Sequence, residues 1–163
     1  MRSELYNWKY NSLAQKIKPV LERKGFEVYV VNSTDELLST VSSIIPEKST
    51  VTSGGSLSVS ESSVLELLKS GKYNFLDRTN AKTPEEKREI ELAAFRSDYY
   101  VCSTNAITED GKLIFLDGNG NRVAAVIYGP KNVLLISSLN KVVKDIEEAR
   151  ERLRYISPMN SKD

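Results

Sequence analysis

Short runs of β-branched and aromatic residues alternate with longer helical segments along this chain, and this alternation limits its fold more than any other feature. The clearest helical start combines an N-cap residue, Thr83, with Pro84 at the first helical position and a capping-box glutamate, Glu86. This pattern predicts a helix over 84–96. Strands that alternate with helices favour an α/β fold with a mainly parallel, open sheet flanked by helices.

The other predicted elements rest on the same signals of periodicity, capping and turn residues. Ser58 or Ser60 is available as the N-cap of a helix that ends before Gly71, and Asn140 as the N-cap of the last helix. In chain order, the predicted helices are 5–24, 35–45, the helix before Gly71, 84–96 and 141–154, and the predicted strands are 26–31, 49–52, 73–76, 99–102 and 133–137.

Two further strand-like runs, 112–116 and 122–128, are separated by the turn-forming residues Asp-Gly-Asn-Gly-Asn at 117–121. Such a segment between apolar runs is a strong signal for a β-hairpin. We therefore predict an antiparallel hairpin inserted in the mainly parallel sheet.

The length and composition favour one domain. The chain has 163 residues, of which 40% are hydrophobic and 28% are charged, as in ordinary globular proteins. We predict a single α/β domain over 1–163, with an N-terminal helix within 1–24 and a C-terminal tail over 155–163.

The charge balance and the apolar runs limit the partners. A net charge of +1 lacks the basic excess that drives binding to phosphate backbones, so we expect no nucleic acid partner. The longest apolar runs, 123–127 and 133–136, are far shorter than the roughly 20 residues that span a bilayer. Because the N-terminus also lacks the apolar core of a signal peptide, we expect a cytoplasmic protein. The sequence leaves a homo-oligomer open.

Cysteine and histidine usage excludes several chemistries. Cys102 is the only cysteine and the chain has no histidine. Structural zinc and iron–sulfur clusters normally need several such ligands, so we expect neither in this chain. Mechanisms of the Ser-His-Asp and Cys-His kinds are excluded, and any acid or base must be Asp, Glu, Lys, Tyr or Cys.

The first polar loop contains Gly54, Gly55 and Ser56, between a predicted strand and a predicted helix. Parallel-sheet proteins present backbone amides to anions at this position, so the loop suits a phosphate or a carboxylate. It contains neither a Walker A motif nor the full dinucleotide fingerprint. A plain tight turn is an equal alternative.

The second polar loop, 103–111, follows the strand predicted to end at Cys102. Asn105 and Thr108 supply uncharged hydrogen-bonding groups there, and Glu109 is the nearest strong base and the candidate for proton transfer. In the alternative interpretation these side chains only fix the backbone of the loop.

The third polar loop leads to Arg122, whose guanidinium could grip an anion bidentately beside the amides of Asn119 and Asn121. The alternatives are an ordinary hairpin loop with an exposed arginine, or an arginine that pairs with a surface carboxylate. Asn140 and Lys141, after the last strand, offer a further amide and a cation, although lysines at helix starts are usually just solvated.

Six stretches of the chain match one known family in order and spacing: 54–56, 103–111, 118–125, 129–130, 140–141 and 158–160. Together they closely resemble the LUD (lactate utilisation) domain family, over nearly the whole chain. The resemblance implies an open α/β sheet like that of sugar-phosphate isomerases, CoA transferases and formyltetrahydrofolate cyclo-ligases. Serines at 137 and 138, where a glycine is expected, depart from the family pattern.

Members of that family include two components of bacterial lactate-oxidation systems, one of which carries iron–sulfur clusters while the other does not. Since this chain lacks the necessary cysteines, it looks like the cluster-free kind, similar to lactate utilisation protein C. The resemblance implies a non-iron–sulfur subunit or accessory protein of an organic-acid oxidation system, which binds a small anionic ligand and has iron–sulfur or flavin oxidoreductase subunits as candidate partners.

Two other functions stay open. A stand-alone isomerase, transferase or ligase-like enzyme would act on a phosphorylated, folate or CoA-linked molecule, with Glu109 or Asp117 as the base and Arg122 or Lys141 as the anion clamp. The other open function is that of a pure assembly module. We predict that the three polar loops converge on one pocket, formed by Gly54, Gly55, Ser56, Asn105, Glu109, Asn119, Asn121 and Arg122.

Overall fold

The computed structural model describes residues 2–155, which form two compact units. The central unit comprises 32–103 and 116–136, and the described part of the terminal unit comprises 2–31, 104–115 and 137–155. The helices are α1 (Arg2–Arg23), α2 (Thr34–Ile44), α3 (Leu57–Ser60), α4 (Val64–Leu68), α5 (Pro84–Ala93), α6 (Asn121–Tyr128) and α7 (Ile146–Tyr155). The strands are β1 (Thr50–Ser53), β2 (Asn74–Leu76), β3 (Tyr99–Cys102), β4 (Ala106–Thr108), β5 (Leu113–Ile114), β6 (Asn132–Leu135) and β7 (Val142–Val143).

The central unit contains a parallel sheet in the order β2-β1-β3-β6. Alternate residues of β3 face opposite sides: Val101 packs with Val41 of α2 and Leu68 of α4, while Tyr100 packs with Ala125 of α6. Helices therefore cover both faces of the sheet, and the predicted α/β class with a mainly parallel sheet is confirmed.

The terminal unit contains a small mixed sheet in the order β5-β4-β7. Strand β4 pairs antiparallel with β5 and parallel with β7. Its core joins Ile17 and Leu21 of α1 to Ile107 of β4, because the apolar positions of α1 recur at helical spacing. Among the described helices, none is both long and apolar enough to cross a membrane.

The predicted hairpin is wrong in its second arm, since residues 121–128 form α6. Ala125 is buried there, and Val126 packs in the same cluster. An amphipathic helix of eight residues can therefore imitate an apolar strand in the sequence. The antiparallel pair of the structure is formed by β4 and β5, around the turn that contains Gly111.

Three other local predictions are also wrong. Residues 26–31 form no strand. Ser58 and Ser60 lie inside α3, and Ser63 is the N-cap residue of α4. Asn140 lies in a 3₁₀ turn, and the last helix begins later, where Asp145 Oδ1 accepts from the Glu148 amide at 3.0 Å.

The capping signals at Ser33 and Thr83 are confirmed. Each side chain accepts a hydrogen bond of 3.1 Å from the amide three residues later. In α5 the box is closed in return, because Glu86 Oε2 accepts from the Lys82 amide at 2.7 Å. The predicted tail falls outside the described residues from position 156 onward.

Candidate functional site

Strand order creates a crevice in the central unit. From β1 the chain passes to β2 on one side, and it then crosses to β3 on the other side of β1 and continues to β6. The connections after β1 and β3 therefore run in opposite directions. Ligands of open α/β sheets bind at the carboxyl ends of such strands.

A narrow pocket lies beside the carboxyl end of β1. Its polar groups are a guanidinium, a carboxylate, a side-chain amide, a phenol and hydroxyls, together with an apolar wall from α5. The lining residues are Thr52, Ser53, Arg78, Ile90, Glu91, Ala94, Tyr100 and Asn121.

Arg78 lies directly over the backbone of Gly55. A Cβ atom added at Gly55 would overlap Arg78 Nη2, so any larger residue would displace the guanidinium. Arg78 Nη1 donates to Glu91 Oε1 at 3.3 Å, and Asn121 Nδ2 donates to the same oxygen at 2.9 Å. One carboxylate oxygen thus orients both a cation and an amide at the pocket.

The position of Tyr100 explains why residue 54 is a glycine. A Cβ atom at Gly54 would lie 2.6 Å from the Tyr100 hydroxyl oxygen, so only glycine leaves room for the phenol. Burial raises the pKa of Tyr100 well above its ordinary value of 10.0. The phenol therefore keeps its proton at neutral pH and can act as a hydrogen-bond donor.

Arg122 is held inside the central unit by oxygen atoms of the protein. Its Nε donates to Asp117 Oδ1 at 2.8 Å, its Nη1 to the Ser103 carbonyl at 3.0 Å and its Nη2 to the Leu116 carbonyl at 2.9 Å. Asp117 also accepts from the Val123 amide at 2.6 Å through Oδ2. Arg122 thus pairs with a carboxylate, as in the structural alternative, although Asp117 is nearly buried and not at the surface. The pair fixes the start of α6, where Asn121 enters the pocket.

Two other predicted residues of the central unit are placed differently. Asn119 is exposed and does not line the pocket. The Ser56 carbonyl accepts from the Ser60 amide at 3.1 Å, which begins the short helix α3. Of the predicted set, the pocket therefore contains Asn121 and is bordered by Gly54 and Gly55.

The polar residues of the terminal unit organise their own loop. Thr108 Oγ1 accepts from the Lys112 amide at 2.9 Å, and Lys141 Nζ donates to the Thr104 carbonyl at 2.9 Å. The Asn105 carbonyl accepts from Arg152 Nε at 3.0 Å. These contacts stabilise the backbone around the turn between β4 and β5.

Glu109 and Asn140 are exposed in the same unit. The Glu109 amide donates to the Val143 carbonyl at 2.8 Å, which ties the backbone of Glu109 to β7. Convergence of Asn105, Thr108, Glu109, Asn140 and Lys141 with the residues of the central unit stays a prediction.

Sequence reasoning missed Arg78, Glu91 and Tyr100. Arg78 follows the predicted strand 73–76, Glu91 lies on the predicted helix 84–96, and Tyr100 lies inside a predicted strand. Strand ends were a usable signal for Arg78. Within residues 2–155, no three His, Cys, Asp or Glu side chains form a group that could hold a metal ion.

Comparison with known proteins supplies the family. A family model described as the LUD domain matches residues 14–163. Neither a curated protein nor a solved structure matches the chain.

Proposed function

The chain belongs to the LUD domain family, and we propose that it is a non-iron–sulfur subunit or accessory protein of an organic-acid (lactate) utilisation system in the cytoplasm, where it binds a small anionic ligand. Family membership supports the metabolic context. The placement of Arg78 over Gly55, beside the carboxyl end of β1, is the observation that supports anion binding.

Arg78 has the properties of an anion-binding group. Its side chain is 24% exposed, and its partner, Glu91, contacts it at 3.3 Å through one oxygen. A guanidinium offers five donors in a planar fork, so an incoming carboxylate can bind to it while Glu91 remains in place. The Gly54 amide already donates to the Val101 carbonyl at 3.0 Å, so in this proposal the amides of Gly55 and Ser56 bind the anion.

A 2-hydroxy acid such as lactate matches the polar groups that line the pocket, because it carries both a carboxylate and a hydroxyl group. In this arrangement Arg78 binds the carboxylate. Asn121 and Tyr100 donate hydrogen bonds, and Glu91 accepts one from the ligand hydroxyl. Arg122 and Asp117 take a supporting role, because they hold the start of α6 from which Asn121 projects.

Ligand-dependent thermal stability of the purified protein tests the proposal. The ligands are L-lactate, pyruvate, inorganic phosphate, a sugar phosphate, a CoA ester, a folate and a nucleotide. A ligand present at 100 times its Kd stabilises the folded state by about 2.7 kcal/mol, which raises Tm measurably. We expect L-lactate to raise the Tm of the wild type and of Arg150→Ala, a surface control in α7, but not of Arg78→Ala.

Two outcomes count against this proposal. If none of these anions raises the Tm of the wild type, ligand binding at this site is wrong. If Arg78→Ala responds like the wild type, the anion lies elsewhere, and Glu109→Gln and Lys141→Ala in the same screen then test the residues predicted in the terminal unit.

A stand-alone enzyme is the second candidate, and the carboxylate of Glu91 in the same pocket favours it. Glu91 lies beside a cation and a protonated phenol, so it could accept a proton from a bound substrate. Turnover of a sugar phosphate, folate or CoA ester that Glu91→Gln abolishes would establish this candidate. Binding without turnover, together with neighbouring genes for iron–sulfur or flavin oxidoreductase subunits, favours the accessory role.

A further inference from the structure

Asp77 immediately precedes Arg78 and is itself buried, with 9% of its surface exposed. Its Oδ1 atom accepts two hydrogen bonds from Thr79, from the amide at 2.9 Å and from the hydroxyl at 2.7 Å. These bonds cap the single 3₁₀ turn formed by Arg78–Asn80. The direction of the Arg78 side chain therefore depends on a turn of three residues that this carboxylate closes.

Lys69, at the end of α4, forms a salt bridge with the Asp77 carboxylate. Its Nζ atom lies 2.8 Å from Asp77 Oδ2, and its own side chain is 44% exposed. Burial by itself raises the pKa of Asp77, but the contacts from Lys69 and Thr79 outweigh it and hold that pKa below its ordinary value of 3.8. Asp77 is therefore a carboxylate at neutral pH, as the cap requires.

From this geometry we infer that Asp77 and Lys69 are positioning residues for Arg78, and that they set the anion affinity of the pocket without touching the ligand. This inference rests on the proposed function. Two physical steps connect the residues. The cap holds the turn that aims the guanidinium at Gly55, and Lys69 neutralises a buried negative charge that would otherwise weaken the attraction of an anion to Arg78, the next residue in the chain.

A short 3₁₀ turn makes this role necessary. Such turns have poor hydrogen-bond geometry and rarely extend beyond three or four residues, so they depend on their caps. The Ala81 amide donates to the Arg78 carbonyl at 3.4 Å, which is a long bond. Loss of the Asp77 cap therefore frees the turn on its amino-terminal side, so that the contact with Glu91 alone holds the Arg78 guanidinium over Gly55.

Asp98 offers a matched control. It is also an aspartate of the central unit that accepts a hydrogen bond from a backbone amide, that of Thr50, at 2.7 Å. It precedes β3 and binds the first residue of β1, so it lies at the opposite end of the parallel strands from the pocket. Its loss should affect stability but not Arg78.

The experiment has one readout that needs no ligand. In a ¹⁵N–¹H NMR spectrum, the Nε–H signal of Arg78 is identified by its loss in Arg78→Lys. We expect Asp77→Ala to shift or broaden this signal and Asp98→Ala to leave it unchanged. Asp77→Asn keeps an oxygen acceptor for the Thr79 amide, so it should restore the signal toward its wild-type position.

The second readout is binding of L-lactate and of inorganic phosphate at a temperature where every variant is folded. Asp77→Ala should weaken the Kd of whichever probe binds the wild type by about tenfold. Lys69→Met should weaken it by a smaller factor that shrinks as salt is added, because salt screens the exposed charge. Asp98→Ala should leave the Kd unchanged.

The outcomes separate this inference from the proposed function. If neither probe binds the wild type, the proposed function fails, and the NMR arm still tests the positioning role. An unchanged Arg78 signal in folded Asp77→Ala overturns the inference. Should Asp77→Ala not fold, Thr79→Val and Lys69→Met replace it, and wild-type signals and affinities in both of these variants overturn the inference equally.

Discussion

The loop after β1 in the central unit and the loop 104–111 in the terminal unit look alike in the sequence, since small polar residues follow a predicted strand in each. In the structure, the polar groups of the two loops have different roles. In the central unit, Gly54 and Gly55 make room for Tyr100 and Arg78, whose polar groups line a pocket. In the terminal unit, the Thr104 hydroxyl lies 2.8 and 2.7 Å from two carbonyl oxygens that share its one proton, and the Thr108 hydroxyl accepts from the amide of Lys112.

This difference shows that polar residues at a strand end do not by themselves indicate a ligand site. Serine, threonine, asparagine and aspartate side chains readily bind neighbouring backbone groups, and such bonds stabilise turns. The loop after β1 differs because its glycines carry no side chains that could do so. Functional groups from α5, β3 and the turn after β2 occupy the space instead.

The largest expected effect is the stability loss of Asp117→Ala. It tests whether the Asp117–Arg122 pair stabilises the fold, as the polar contacts of the terminal loop do. Both side chains are nearly buried, with 11% of Arg122 and 8% of Asp117 exposed. Asp117→Ala leaves a buried guanidinium without its carboxylate, which typically costs about 3–5 kcal/mol of stability. Urea denaturation measures this loss. A change as small as that of Glu147→Ala, in an exposed pair on α7, would remove the structural role.

The next effect distinguishes the two glycines of the loop after β1. An added Cβ at Gly54 meets the hydroxyl of Tyr100, which is 3% exposed, so Gly54→Ala should cost about 1–3 kcal/mol of stability. At Gly55 the added atom meets the movable end of Arg78, so Gly55→Ala should leave Tm nearly unchanged but weaken anion binding. Thermal melts with and without L-lactate measure both. Equal stability losses in the two variants would contradict the role given to Arg78.

A smaller effect concerns the terminal loop. Thr108 is fully buried and its hydroxyl accepts from the Lys112 amide, so Thr108→Val should cost about 1–2 kcal/mol of stability. It should not change the Tm shift that an anion produces. If Thr108→Val abolishes that shift while the protein stays folded, the terminal loop belongs to the ligand site and the contrast between the two loops is wrong.

The smallest effect is a pH dependence from Asp77. The pKa of Asp77 in the folded protein lies below the ordinary value of 3.8. The carboxylate therefore contributes its full stabilisation above about pH 4, and this stabilisation is lost as the pH falls through the pKa of the folded state. Between pH 5 and pH 2, the wild type should therefore lose more stability than Asp77→Asn. Urea midpoints at several pH values measure the difference, and parallel curves would show that Asp77 is not held as a carboxylate.

Local signals predicted the elements that depend on neighbouring residues. The boxes at Ser33 and Thr83 and the strand at 99–102 are confirmed, because caps and short apolar runs act within a few residues of the chain. The second arm of the hairpin was wrong because the six apolar residues at 123–128 fit a strand and an amphipathic helix equally well. Only packing against Ala94 and Tyr100 decides in favour of the helix.

The sequence by itself determined the α/β class, the capped helices and the glycine loop after β1. The tertiary structure decided which arginine faces that loop. Arg78, Glu91 and Asn121 meet at one carboxylate oxygen although they lie 13 and 30 residues apart along the chain. Their meeting depends on β3 pairing with the side of β1 opposite β2, and no residue pattern within a single element encodes that order, because it is set by how both faces of the sheet become covered.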